Sequence, residues 1–268
     1  MTKFANKTVL ITGAANGLGR KMALEIGRQG AHAILWDIDA KGLEKVASEL
    51  SSIGAKATHY CCDLSSKDEI YDCARKVQNT SGTPDIIINN AGIVSGKSFL
   101  ELSDEKIEKT ILVNTLAPIW LVKFFLPEMM ARKSGHIVNI SSAAGTIGVA
   151  GLADYCASKF GIFGFHESLR NELKKKKIPI QTTVVCPYYI NTGMFEGVKT
   201  RFPWILPILE ENKVVQKILL AIQKNRPCLM MPWIVYAVMP LRILPVGMFD
   251  WIARFLGIHT GMEEFHGR

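Results

Sequence analysis

The stretch Thr8-Val9-Leu10-Ile11-Thr12-Gly13-Ala14-Ala15-Asn16-Gly17-Leu18-Gly19 joins a short apolar run to a glycine turn, and a helical pattern continues from it to about Gly30. Thr8 to Ile11 reads as a buried strand. Gly13 permits a tight turn, Gly17 lets backbone approach a ligand, and Gly19 lets the helix pack closely on the strand. Asn16, Gly17, Leu18 and Gly19 stand where a helix begins, and the unpaired amides there face a phosphate. The spacing is G-x3-G-x-G rather than the commoner G-x-G-x-x-G. Strand, glycine turn and helix in succession supply the context of a dinucleotide phosphate loop.

Downstream, strands and helical patterns alternate. Ala31 to Trp36 is a strand that ends in Asp37. An acid at this place accepts from both adenosine ribose hydroxyls and repels a 2′-phosphate, so NAD is expected over NADP. Arg20, in the turn region, is the one group placed to reach a 2′-phosphate instead. A helix near Ala40 to Ile53, a strand Ala57 to Cys62, a helix Lys67 to Ser81 and a strand Asp85 to Asn89 follow. Asp63, before Leu64, is placed to accept from the adenine amino group. Asn90, Ala91 and Gly92 are small enough for backbone to lie against a cofactor, and Asn90 can pin the turn by side-chain bonds. Further strands are expected at Ile137 to Ile140, Gln181 to Cys186 and near Cys228 to Met231. The alternation predicts an α/β fold, a doubly wound parallel sheet with helices on both faces.

The chemistry concentrates in GHIVNISSAAGTIGVAGLADYCASKFGIFGFHESLRNEL, residues 135–173. The strand delivers Ser141 and Ser142 at its end, and a helical pattern from about Ala153 carries Tyr155 and Lys159. Four residues apart, these two share a helix face. An ammonium beside a phenol favours the phenolate, and an acidified tyrosine can exchange a proton with an alcohol. A serine hydroxyl can donate to the same oxygen or accept from it. Asn114, within the apolar run ILVNTLAPIW, has two readings. It kinks the helix and holds a water against Lys159, or it satisfies a neighbouring carbonyl.

Taken together, TGAANGLG at 12–19, Asp37, Asp63-Leu64, NNAG at 89–92, Asn114, Ser142, Tyr155-x-x-x-Lys159, Pro187 and Ile190 to Thr192 resemble the short-chain dehydrogenase/reductase family. The resemblance covers roughly residues 5–225 and implies a Rossmann-like, seven-stranded sheet. It implies Tyr155 as the acid/base, Ser142 as the group polarising substrate oxygen, and Lys159 as the cation that lowers the tyrosine and holds the nicotinamide ribose. Asn114 then supports a water beside Lys159. Pro187, Ile190 and Thr192 contact the cofactor, and a homodimer or homotetramer forms through the helices carrying Asn114 and Tyr155. One departure stands out: Tyr188 replaces the glycine usual after Pro187. The phrases YCASKFGIFGFHESLRNEL and VVCPYYINTGMF are similar to the subgroup of retinol dehydrogenases and lipid-droplet 17β-hydroxysteroid dehydrogenases. The expected reaction is NAD-linked oxidation of a hydrophobic alcohol, retinol to retinal first. A 17β-hydroxysteroid dehydrogenase, an NADPH-linked carbonyl reductase and a non-catalytic NAD-binding lipid-surface scaffold are the rivals.

Composition bounds the rest. At 268 residues and 48% hydrophobic content, one domain with a large core is expected. The six cysteines show no metal spacing, so free thiols and no metal are expected. No basic-then-apolar leader opens the sequence, which with the thiols predicts an intracellular protein, cytoplasmic or peripherally attached to a membrane or lipid droplet. Net charge is +8, but its densest run, Lys174 to Lys177, follows a helix end, and no nucleic-acid motif accompanies it. After Thr192 the chain turns apolar: about 193–212 is expected to be a lid, and about 228–268 an apolar C-terminal helical extension. Pro232, Pro240 and Pro245 interrupt that extension, so it is expected to rest on a membrane or subunit surface rather than span a bilayer.

Overall fold

The computed structural model describes residues 1–259, 261 and 265. Strand β1 (Thr8–Thr12) leads to α1 (Gly17–Arg28), β2 (His32–Asp37), α2 (Ala40–Ser52), β3 (Ala57–Cys61), α3 (Lys67–Ser81) and β4 (Ile86–Asn89). Then come α4 (Asp104–Ile111), α5 (Ala117–Ala131), β5 (His136–Ile140), α6 (Ala153–Lys175) and β6 (Gln181–Pro187). The last part holds α7 (Glu211–Gln223), β7 (Cys228–Met231), and the short helices α8 (Val238–Leu241) and α9 (Val246–Phe255). The seven strands form one parallel sheet in the order β3-β2-β1-β4-β5-β6-β7.

Strand residues are apolar in succession because both faces of the sheet are covered. Val9 and Ile11 point into one core, with Met22 and Ile26 of α1 and Ile218 of α7. Leu10 points into the other, with Ile70 of α3, Phe125 of α5 and Leu169 of α6. Ile88 and Ile87 divide in the same way. Each such side chain, removed from water, contributes about 1.5–3 kcal/mol. Helix starts are marked where capping chemistry predicts: the Asp39 side chain accepts from the Gly42 amide, and that of Ser66 from the Glu69 amide.

Two features position the site. The order of strands reverses between β1 and β4, and the crevice beyond the strand ends opens there. Between α4 and α5 the helix widens to a π-turn over Leu112–Leu116, around Asn114. The whole helical stretch Asp104–Ala131 is long and apolar enough to cross a membrane, yet half of its apolar window is buried within the fold. The tail is not wholly a surface feature. Val235 and Ala253 are buried, whereas Trp233, Ile243 and Trp251 are 78%, 86% and 67% exposed.

Candidate active site

The glycine turn is welded to the end of β4. Thr12 Oγ1 accepts from the amides of Asn90 and Ala91 at 3.0 and 3.1 Å. Asn90 Nδ2 donates back to the carbonyls of Thr12 (2.9 Å) and Gly13 (3.2 Å). Gly13 and Gly17 have φ of +66° and +51°, the left-handed region that favours glycine. A Cβ on Gly19 would lie 1.9 Å from the Gly13 carbonyl oxygen, so only glycine lets α1 close on the turn. At the end of β2, Asp37 accepts from the amides of Ala15 (2.9 Å) and Asp39 (3.1 Å), one on each carboxylate oxygen. Arg20 turns away and pairs with Glu49 at 2.7 Å.

These pieces border a cleft of about 1640 Å³ over the switch point, lined by Gly13, Asn16, Gly17, Leu18, Asp37, Asn90, Ala91 and Gly92. Ser142, Tyr155, Lys159, Pro187, Ile190 and Thr192 line it too. Backbone-lined space, with Gly13 and Gly17 both in the left-handed region, fits an elongated dinucleotide. Four of the sequence candidates stand outside the lining. Gly19 supports the turn from beneath, and Leu64 is buried. Asp63 Oδ1 is taken up by the amide and hydroxyl of Ser65, at 2.8 and 2.7 Å. Asn114 is buried one layer back.

Asn114 resolves into a brace. Its Oδ1 accepts from the Ile93 amide at 2.8 Å, while Nδ2 donates to the Ile93 carbonyl at 2.9 Å and to Ser158 Oγ at 3.0 Å. Ser158 in turn donates to the Tyr155 carbonyl at 2.7 Å. One amide thus ties the chain after β4 to the first turns of α6. A Cβ on Gly92 would meet Asn114 Oδ1 and Lys159 Nζ, each at 3.3 Å, so the glycine brings the cleft wall against both groups.

The two serines part company. Ser141 Oγ donates to the Lys159 carbonyl at 2.9 Å, an anchor for α6. Ser142 Oγ accepts from the Ala144 amide at 3.1 Å, donates to the Pro187 carbonyl at 3.5 Å and stands close enough to the Tyr155 phenol to influence its ionisation. Lys159 Nζ donates to the Ile140 carbonyl at 3.1 Å and lies 5.5 Å from the centroid of the Tyr155 ring. The spacing placed an ammonium one turn from the phenol; the fold adds burial, which opposes ionisation of both groups. Burial holds the Tyr155 phenol above its ordinary range, and the Ser142 hydroxyl is the influence that draws it down. Burial also lowers the Lys159 ammonium to about 8. Desolvation penalises both charged forms, and the side-chain spacing alone carried no information on it.

A second, narrower space abuts the cleft. Ser142, Tyr155, Tyr188 and Phe195 line both, so they form the doorway between them. Beyond it the wall is apolar: Ile147, Val149 and Leu152 from the loop after β5, then Val238, Leu241, Phe249 and Ile252 from the tail. Rings brace the doorway edge to face. Tyr188 and Tyr189 lie 4.6 Å apart, Tyr189 and Phe195 5.1 Å, and Phe195 and Tyr155 5.9 Å. Sequence reasoning missed this wall. The tail was read as membrane or subunit surface, while its inward face lines the cavity; the apolar run at 147–152 was the available signal.

Comparison with known proteins agrees with this architecture. A family model described as short chain dehydrogenase matches residues 7–201. Human epidermal retinol dehydrogenase 2 is 48% identical over 264 residues, which is 97% of this chain and 85% of the relative. A metagenomic short-chain oxidoreductase solved with NADP superposes with a TM-score of 0.71 at 30% identity, over 85% of this chain and 96% of the other. A Burkholderia phymatum short chain dehydrogenase/reductase solved with NAD gives a TM-score of 0.81 over 91% and 95% of the two chains; at 24% identity it speaks for the fold alone. The chain therefore belongs to the short-chain dehydrogenase/reductase family and is an NAD(P)-linked oxidoreductase.

Proposed function

We propose that this enzyme interconverts a long, apolar, singly hydroxylated alcohol with its carbonyl, retinol with retinal in the first instance, and prefers NAD. The carrying observation is the cavity beyond the doorway. Its polar side chains among the described residues, Ser142, Tyr155, Tyr188 and Tyr189, come from the end of β5, α6 and the end of β6, while the described residues of the tail contribute only apolar ones. A buried polar group without a partner costs about 1–3 kcal/mol. An alcohol with one oxygen at the doorway meets no such penalty, whereas a steroid with a second oxygen at the far wall does. The similarity to human epidermal retinol dehydrogenase 2 supports the same choice.

Tyr155, Ser142, Lys159 and Asn114 take separate roles in this reading. Substrate oxygen rests between the Ser142 hydroxyl and the Tyr155 phenol. A dinucleotide held in the cleft would supply the nicotinamide that accepts the hydride. Tyr155 takes the hydroxyl proton during oxidation and returns it during reduction. The Lys159 ammonium favours the phenolate against burial, and Asn114 holds α6 in place. Gly13, Asn16, Gly17, Leu18, Asn90, Ala91, Gly92, Pro187, Ile190 and Thr192 line the course of the dinucleotide, with Gly19 beneath it. Asp37 favours NAD because its carboxylate would face a 2′-phosphate, and Arg20 is engaged with Glu49 rather than free to compensate.

The exposed outer side of the tail supports peripheral attachment to a lipid surface. Trp233, Ile243, Val246 and Trp251 are solvent-exposed on segments whose other side lines the cavity. Residues of about 193–212, which carry Phe195 at the doorway and Leu206 along the second space, act as the lid. Half-buried Trp120 and Phe124 on α5 are the surface expected to join subunits into a dimer or tetramer.

The test is an NAD-against-NADP assay with retinol and steroid alcohols on detergent-solubilised enzyme, beside Tyr155→Phe. Retinol turnover with NAD is expected, and Tyr155→Phe should abolish turnover while cofactor binding persists. Faster steroid than retinol turnover would overturn the substrate, and a fully active Tyr155→Phe the mechanism. Ile243→Glu/Trp251→Glu should reduce flotation with anionic liposomes; unchanged flotation would rule the tail out as the attachment.

A further inference from the structure

We infer that Glu211 sets how tightly, and for how long, this enzyme holds its dinucleotide. Glu211 is the first residue of α7, directly after the segment over the doorway. Its Oε2 pairs with Lys21 Nζ of α1 at 2.5 Å. The same ammonium donates to Asn212 Oδ1 at 2.9 Å. The other oxygen, Oε1, is buried and finds no hydrogen-bond partner among the described residues. A Cβ placed on Gly17 would lie 3.6 Å from that oxygen and 3.8 Å from Thr192 Cβ. The bare carboxylate oxygen therefore packs against Gly17, the glycine of the phosphate turn, from behind the cleft.

A buried acceptor with no donor needs an explanation. An acid in the first turn is favourable to its own helix, but that accounts for the charge and not for the unpaired oxygen. Facing Gly17, the carboxylate opposes the attraction that the α1 amides exert on the phosphates. Lys21 pairs through the other oxygen, Oε2, and offsets this opposition in part, since Oε1 is the oxygen set against Gly17. The Glu211–Lys21 pair also joins the phosphate-binding helix to the chain that closes the lid. Ile190 and Leu209 pair as an isolated bridge just before it, and the Asn191 amide donates to the Leu209 carbonyl at 3.1 Å. Residence of the cofactor and position of the lid are thus governed at one point. A carboxylate there keeps the dinucleotide exchangeable, as an enzyme that must release it in every cycle requires.

The inference rests on the dinucleotide reading of the Gly13–Gly19 turn, and the test separates the two. NADH affinity is read by its fluorescence on binding, and its release by stopped-flow displacement, with no substrate present. Glu211→Gln keeps the shape and removes the charge. It should bind NADH about tenfold more tightly, chiefly through slower release, as expected for losing one like charge near a phosphate in a partly buried site. Lys21→Met should weaken binding by a similar factor, and the double variant should return close to wild type. Circular dichroism and urea midpoints establish that each variant is folded. Equal or weaker NADH affinity in folded Glu211→Gln, with wild type binding normally, would overturn the role of Glu211. Failure of wild type to bind NADH would overturn the dinucleotide reading, and this inference with it.

Discussion

Replacing Gly19 with alanine sets two known effects against each other in one position. Gly19 lies inside α1, and alanine in a helix interior is favoured over glycine by about 1 kcal/mol. Local propensity alone thus predicts a stabilised protein. The added Cβ, however, would sit 1.9 Å from the Gly13 carbonyl oxygen, 2.7 Å from its carbon and 2.8 Å from Asn90 Nδ2. Reaching an ordinary contact of about 3.5 Å needs a shift of roughly 1.5 Å. The obstacle is backbone, held by the Asn90 bonds to Thr12 and Gly13, and no rotamer change relieves it. Overpacking of this kind costs about 1–3 kcal/mol, with the upper end apt where backbone must move. The net expectation is a loss of about 2 kcal/mol, or roughly 5 °C in Tm. Because the displaced carbonyl belongs to the glycine turn, NADH affinity should fall at least tenfold. Gly164→Ala is the control: it is helical and exposed, with nothing within 4 Å of the added carbon, and should gain about 0.5–1 kcal/mol. Urea unfolding and NADH fluorescence titration measure both variants. A Gly19→Ala protein as stable as wild type with undiminished NADH affinity would refute the close approach of α1 to the turn.

Other substitutions and conditions have equally definite outcomes. Asn114→Leu leaves the Ile93 amide and carbonyl and the Ser158 hydroxyl without their partner, and should cost about 3 kcal/mol in urea unfolding. Asp37→Ser should lower the preference for NADH over NADPH at least tenfold in binding titrations; an unchanged ratio would remove Asp37 from the adenosine site. Burial lowers His136 and His166 from 6.5 to about 4. Between those values the unfolded chain binds more protons than the folded one, so stability is complete above pH 6.5 and falls as pH drops toward 4. Each histidine accounts for up to about 3 kcal/mol of that fall. Urea midpoints measured from pH 7 to pH 4.5 check it, and a flat profile would contradict the neutral burial of both rings.

The chain order of strands and helices was legible because apolar runs and helical periodicity are local properties. Strand β7 falls at Cys228–Met231 and α3 at Lys67–Ser81, as the pattern predicted; β3 ends at Cys61, one residue short of the expected Cys62, with Cys61 exposed and Cys62 buried. The glycine turn, Asp37, and the pairing of Tyr155 with Lys159 could likewise be read from spacing, since a turn or a helix places such residues within a few positions of one another. Choosing Ser142 over Ser141 required the family pattern; in the fold Ser141 donates to the Lys159 carbonyl, while Ser142 lines the cleft beside Tyr155.

Tertiary structure decided what depends on segments far apart in sequence. Asn114 could be read as a water holder or as a satisfied amide; its partners, Ile93 and Ser158, lie 21 and 44 residues away, so only the packed fold reveals the brace. Nor could spacing weigh burial against a neighbouring charge at Tyr155. Desolvation is a property of the whole shell around the phenol, and here it prevails. The tail's two faces were equally hidden: composition recorded an apolar extension, but only its packing against the loop after β5 divides it into cavity wall and exposed surface. Sequence determined the fold and the kinds of group available for chemistry, because those follow from local pattern. Which of those groups meet, and how dry they are when they do, is set by contacts between distant elements and belongs to the folded molecule.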